Sequence, residues 1–203
     1  MQRKTTLALI TLTAIGIGAI ALAADLPTKI APPPNYKTDM RMLEEAGTPG
    51  MQHRFLEHFI GDWSVAIEQR RPGSPPVELT ATATFAWALD GRFLREDLHA
   101  EYEGFPIDML RFLGYDNFKG RYTLAWMGST STAITTANGY QSIDGNEITL
   151  FGTMDEPHLN LHDRSIKAVY RSISKDRFVV ELHDLHIPDP NSLVLSMQYT
   201  REP

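Results

Sequence analysis

The stretch "VELTATATFAW", residues 77–87, puts Val77, Leu79, Ala81, Ala83, Phe85 and Trp87 in one phase, with Glu78, Thr80, Thr82 and Thr84 in the other. Side chains alternate across a β-strand, so this pattern describes a strand with one face in a core and one in water. No other feature constrains the fold as strongly, because the same period recurs to the end of the chain. Runs near 62–69, 77–88, 92–102, 107–115, 121–127, 132–141, 147–154, 164–173, 177–185 and 193–201 read as about ten strands. Asp90-Gly91, Asp144-Gly145, "DNFKGR" and "SKDR" supply turn chemistry between them. No helical period interrupts the series, which excludes βαβ crossovers and the parallel sheets that carry phosphate-binding loops. Successive hairpin-length connections predict an all-β fold, an antiparallel up-and-down barrel that closes on itself and so removes its edges.

Ahead of the strands, "TPGMQHRFLEHFIG" predicts a short helix at one end of the barrel. Thr48 is in the N-cap position, Pro49 follows it, and Met51, Phe55 and Phe59 recur every four residues. Gly61 then reads as the stop that lets the chain enter its first strand at Trp63. The N-terminus has basic Arg3 and Lys4, an uncharged run from Leu7 to Ala24, and Ala21-Leu22-Ala23 as a small-x-small cleavage site. This is the pattern of a signal peptide over 1–23, an uncleaved membrane tether being the other reading. Residues 24–47 carry a proline-rich linker with a helical turn at "MRMLEEAG", and 48–203 form the barrel domain. The expected location is periplasmic or secreted, with no membrane span after cleavage.

The chain has no cysteine, so the fold rests on its own core even in an oxidising compartment. Its formal net charge is −6, and loss of Arg3 and Lys4 makes it two units more negative. After that loss only Arg70 and Arg71 are adjacent among the arginines and lysines, which leaves no basic stripe for nucleic acid.

"IGDWSV", "LDGRFL", "LGYDNFKGRYTLAW", "GTMDEP" and "MQYTRE", taken in order, resemble a bacterial family catalogued as domain of unknown function 1579. That family is similar to the calycins, the lipocalin and fatty-acid-binding-protein type of barrel. The resemblance covers residues 48–202 and implies a fold without an activity. Gly128 stands where the family usually has an acidic residue. The calycin likeness also implies that Trp63 lies at the closed end of the barrel beneath Arg201, a structural pair. A haem-binding calycin relative would need an axial histidine on the last strand, and "LVLSMQYTR" has none.

The chemical constellations are sparse. "GSTSTAITTANG" lacks the second glycine and the strand-to-helix setting of a nucleophile elbow. His158, His162 and Asp163 lie near a proline without helical pattern, and His183 and His186 fall in opposite strand phases. No metal and no cofactor is expected. In "FLREDLHAEY", Arg95, Asp97, His99 and Glu101 share one face, and Leu94, Leu98, Ala100 and Tyr102 the other. An outward charged face is an ordinary solvated strand; an inward one lines the cavity with ionisable groups. Arg111 poses the same question.

Ten strands enclose more space than side chains fill. The first reading is therefore a binding protein for a small apolar or carboxylate-bearing ligand, with Arg95, Arg111, Tyr115, Tyr122 and Trp126 as candidate binding residues. A cell-envelope protein-interaction module comes second. An enzyme using interior His, Asp and Arg residues for acid–base chemistry comes third. Nothing in the sequence speaks to oligomeric state.

Overall fold

The computed structural model describes residues 36–203. The signal segment and the first part of the linker lie outside them. Ten strands form one closed antiparallel barrel: β1 (Gly61–Gln69), β2 (Val77–Ala88), β3 (Phe93–Tyr102), β4 (Phe105–Asp116), β5 (Arg121–Gly128), β6 (Thr135–Gln141), β7 (Glu147–Glu156), β8 (Leu161–Ser174), β9 (Arg177–Asp184) and β10 (Leu193–Arg201). Each strand pairs with the next in the chain, and β1 pairs with β10 to close the ring. The predicted strands and the meander are all present.

The inner phase follows the hydrophobic alternation. On β2, Ala81, Ala83 and Phe85 are buried and Thr80, Thr82 and Thr84 exposed. Buried Val65 on β1, Leu113 on β4, Leu124 on β5, Leu150 on β7 and Val180 on β9 continue the core around the ring. The β3–β4 turn, Glu103-Gly104, has both residues at positive φ, the two-residue geometry that suits the twist of paired strands. The hydroxyl-rich segment after Gly128 is a loop up to Ile134, not strand, and its Ser129 hydroxyl accepts the Asp108 N–H at 3.0 Å.

Two helices precede the barrel, α1 (Tyr36–Gly47) and α2 (Met51–Leu56), and a 3₁₀ turn at Glu57–Phe59 follows. The helical turn expected at residues 40–47 is thus part of a longer helix that begins at Tyr36. Thr48 does not cap α2: its hydroxyl donates to the Glu44 carbonyl at the end of α1, 2.6 Å away. Gly50 is the N-cap residue of α2, and its N–H donates to His53 Nδ1 at 3.0 Å. Met51, expected in the apolar stripe, is exposed, and the buried face is made by His53, Leu56 and Phe59.

This lid closes one end of the barrel. Phe59 stacks edge-on against Phe178 (4.8 Å) and Tyr170 (6.2 Å), and Trp63 against Phe178 (4.7 Å). Trp63 Nε1 donates to the Phe59 carbonyl at 2.8 Å. The Arg201 guanidinium carbon sits 4.1 Å from the Trp63 ring centroid, and Trp63 and Arg201 are direct partners across β1 and β10. Such a cation–π contact contributes about 0.5–2 kcal/mol. Arg201 also donates to the carbonyls of Ile60 (2.6 Å) and His58 (2.9 Å), tying the lid to the last strand. Gly61 begins β1 with φ +124°, and a Cβ there would lie 2.6 Å from Arg201 Nη1. Its role is to make room for the guanidinium, beyond stopping a helix.

Candidate functional site

The lid end is packed, so the site lies toward the other end. Strand register builds it. Glu96 on β3 is the direct partner of Arg111 on β4, and Arg111 is the direct partner of Trp126 on β5. All three are in the inward phase, so one level of the wall carries a carboxylate, a guanidinium and an indole side by side. Arg111 Nη1 donates to Glu96 Oε2 at 2.9 Å and to the Tyr199 hydroxyl at 3.0 Å, and that hydroxyl donates to Glu96 Oε1 at 2.7 Å. Glu96 and Arg111 are 1% and 6% exposed. A buried pair of this kind offsets its desolvation only when the remaining polar atoms are also satisfied, which is what Tyr199 supplies.

The Nε and Nη2 edge of Arg111 meets different chemistry. Nε donates to Met109 Sδ and Nη2 to Met197 Sδ, each at 3.1 Å. Burial alone would lower the Arg111 pKa, but Glu96, Tyr199 and Tyr170 around it hold the guanidinium above its ordinary range. Burial, with Glu96 adding to it, pushes the Tyr199 hydroxyl well above its ordinary value. The Tyr170 hydroxyl is pushed up to about 12, mainly by burial and against the pull of Arg111. Both phenols therefore stay neutral donors at ordinary pH.

Two spaces adjoin this cluster. A cavity of about 50 Å³ lies between Arg111, Met109, Met197, Tyr170, Leu124 and Trp126. Above it, the open end of the barrel holds a cleft of about 580 Å³, walled by Val77, Leu79, Ile107, Met109, Trp126 and Met154. Arg71, Asp155 and Glu156 are at its rim. Met109 and Trp126 line both spaces and form the partition between them.

Of the residues expected to bind a ligand, the structure brings Arg111 and Trp126 together. Tyr115 and Tyr122 stack edge-on at 5.0 Å at the lid end, where the Tyr122 hydroxyl donates to the Gln52 carbonyl at 3.1 Å. Tyr122 and Trp126 are four positions apart, about 13 Å along a strand, and neither tyrosine lines the cleft. Arg95 is on the outer face, paired with Asp97 at 2.7 Å, and the whole charged row of β3 faces solvent. Sequence reasoning passed over Glu96, Tyr170, Tyr199, Met109 and Met197. Glu96 had a signal: it shares its phase with Leu94 and Leu98, so a carboxylate stood on the core-facing side.

The histidines are scattered. His99 pairs with Asp108 on the outer face at 2.7 Å, and His183 Nδ1 lies 3.1 Å from the Ser192 hydroxyl. Among the described residues no three His, Asp or Glu side chains converge as metal ligands.

The barrel is similar to the crystal structure of Rv2717c from M. tuberculosis, with a TM-score of 0.56 at 18% identity over 77% of this chain and 100% of that one. A redesigned β-barrel also aligns, with a TM-score of 0.41 at 10% identity over 74% of this chain and 96% of that one. No curated protein matches the chain in sequence. The first likeness shows the fold alone. The family model described as "Protein of unknown function (DUF1579)" matches residues 48–201, the whole barrel and the α2 lid, and the chain belongs to that family.

Proposed function

We propose that this protein is an exported carrier that holds a small apolar or amphipathic molecule in the open end of its barrel. The observation that carries the reading is the cleft of about 580 Å³ with aliphatic, methionine and tryptophan walls. Small-molecule sites are commonly about 300–1,000 Å³, mostly apolar, with a few placed polar groups. The Arg111–Glu96–Tyr199 cluster just below the Trp126 floor supplies such groups. Its charges already balance each other, which favours a neutral ligand over a carboxylate. The signal-like N-terminus supports export, and the proline-rich segment after it supports a spacer ahead of the barrel.

The test is fluorescence titration with an apolar probe. Trp126 is in the cleft, whereas Trp63 is fully buried at the lid end. Probe entry is expected to quench tryptophan emission, and Trp126→Phe to remove most of that quenching while Trp63→Phe leaves it. Absence of saturable quenching would overturn the carrier reading.

A further inference from the structure

An arginine presents its Nε and Nη2 hydrogens as a planar fork that matches an oxygen acceptor. In Arg111 the opposite side, at Nη1, is fully engaged by Glu96 and Tyr199. The fork itself faces two thioether sulfurs, Met109 Sδ and Met197 Sδ. Thioethers are weak acceptors, so two strong donors of the guanidinium meet weak partners, with the Tyr170 hydroxyl interacting from beside them. Methionine is also the most adaptable apolar side chain, with three rotatable bonds. Both methionines border the 50 Å³ cavity, and Met109 continues into the cleft above. The sulfurs therefore act as a movable cover over the fork.

We infer that the Arg111 fork is the recognition point for the ligand's head, and that the ligand is a largely apolar, neutral molecule carrying one carbonyl-type oxygen. This rests on the carrier reading above. The apolar body occupies the cleft against Trp126, and the oxygen displaces the two sulfurs. Neutrality follows from charge. Glu96 already cancels Arg111, and the pair is almost completely buried, so a ligand carboxylate would add an unbalanced buried anion beside Glu96. That arrangement is costly. The Tyr199 and Tyr170 hydroxyls next to Arg111 are neutral and supply no compensating charge.

Three probes of similar size separate the alternatives by calorimetry on the full barrel: butylbenzene without an acceptor, butyrophenone with a neutral carbonyl, and 4-phenylbutyrate with a carboxylate. Butyrophenone is expected to bind about tenfold or more tightly than either of the others, the worth of a hydrogen bond to a charged donor. In the double variant E96L/R111M, the ratio of butyrophenone to butylbenzene affinity is expected to fall to about one. A second readout uses unaltered protein labelled at its methionine methyls. The Met109 and Met197 signals should shift with butyrophenone well beyond their response to butylbenzene. Equal binding of all three probes would overturn head recognition and leave the carrier intact. Tightest binding of 4-phenylbutyrate would overturn the neutral head. Failure of every probe would overturn both readings together.

Discussion

Glu96 and Arg111 show how much one residue's phase decides. Each stands between apolar neighbours on its strand, Leu94 and Leu98 for one, Met109 and Leu113 for the other, and each is nearly sealed from water. Removing one member strands the other charge in the core, a loss of about 3–5 kcal/mol. Glu96→Ala and Arg111→Ala are each expected to lower the unfolding free energy by that much, read as a drop in the chemical denaturation midpoint. E96L/R111M should cost far less than the two single losses combined, because an apolar pair needs no partner. Unchanged midpoints in the single variants would mean that the pair contributes nothing to stability. The pair was half legible in the sequence. A carboxylate in the phase of Leu94 and Leu98 was visible, but the eye follows the longer charged row of Arg95, Asp97, His99 and Glu101, which is solvated. For Arg111 the period left both faces open. Only the register that sets Glu96 beside it shows why a cation is tolerated inside.

Among the elements, the lid is where local signals and tertiary structure parted. Thr48-Pro49 has the composition of a helix start, yet α1 ends close enough for Thr48 to serve its Glu44 carbonyl instead. The capping of α2 fell to His53, whose Nδ1 accepts the Gly50 N–H. No propensity rule places a histidine in that role. The arrangement has a pH consequence. Burial, and secondarily Arg92, lowers the His53 pKa below its ordinary value of about 6.5. The folded state then binds the proton less well than the unfolded chain, so the stabilisation is full above about pH 6.5 and is lost as pH falls through the lowered value. His58, lowered by burial and by Arg201, has the same sign. Amide protection, corrected for the intrinsic pH dependence of exchange, is expected to fall across residues 50–59 in mildly acidic solution, with the β2–β4 amides still protected. Uniform protection of the lid across that range would count against a neutral His53 cap.

At the scale of the whole molecule, the strand number and strand order were legible because two-residue alternation and turn chemistry survive in nearly every segment. What the period cannot carry is depth along the barrel axis. Tyr115, Tyr122 and Trp126 share an inward phase, yet the tyrosines lie under the lid and the tryptophan lies in the cleft. Export belongs to this scale too. Cleavage after Ala23 is expected to leave Ala24 as the mature N-terminus, readable from the intact mass of protein recovered from the cell envelope. Intact Met1 in the membrane fraction would establish a tether instead. Closure of the ring has a consequence for how the chain is made. All strand pairings but one join neighbours in sequence; the exception, β1 with β10, joins residues such as Ser64 and Thr200, 136 positions from each other. Contacts this distant form late, after the loop entropy they demand has been offset by nearer ones. A chain whose β10 has yet to be synthesised is therefore expected to be a curled ribbon with bare edges at β1 and β9. Met197 and Tyr199 arrive only with β10, so Arg111 lacks its second sulfur and its tyrosine partner until the ribbon shuts. On the carrier reading, recognition of a ligand's head is expected only of a finished molecule, and a chain cut short before β10 would keep the walls of the cleft but not the complete cluster beneath them.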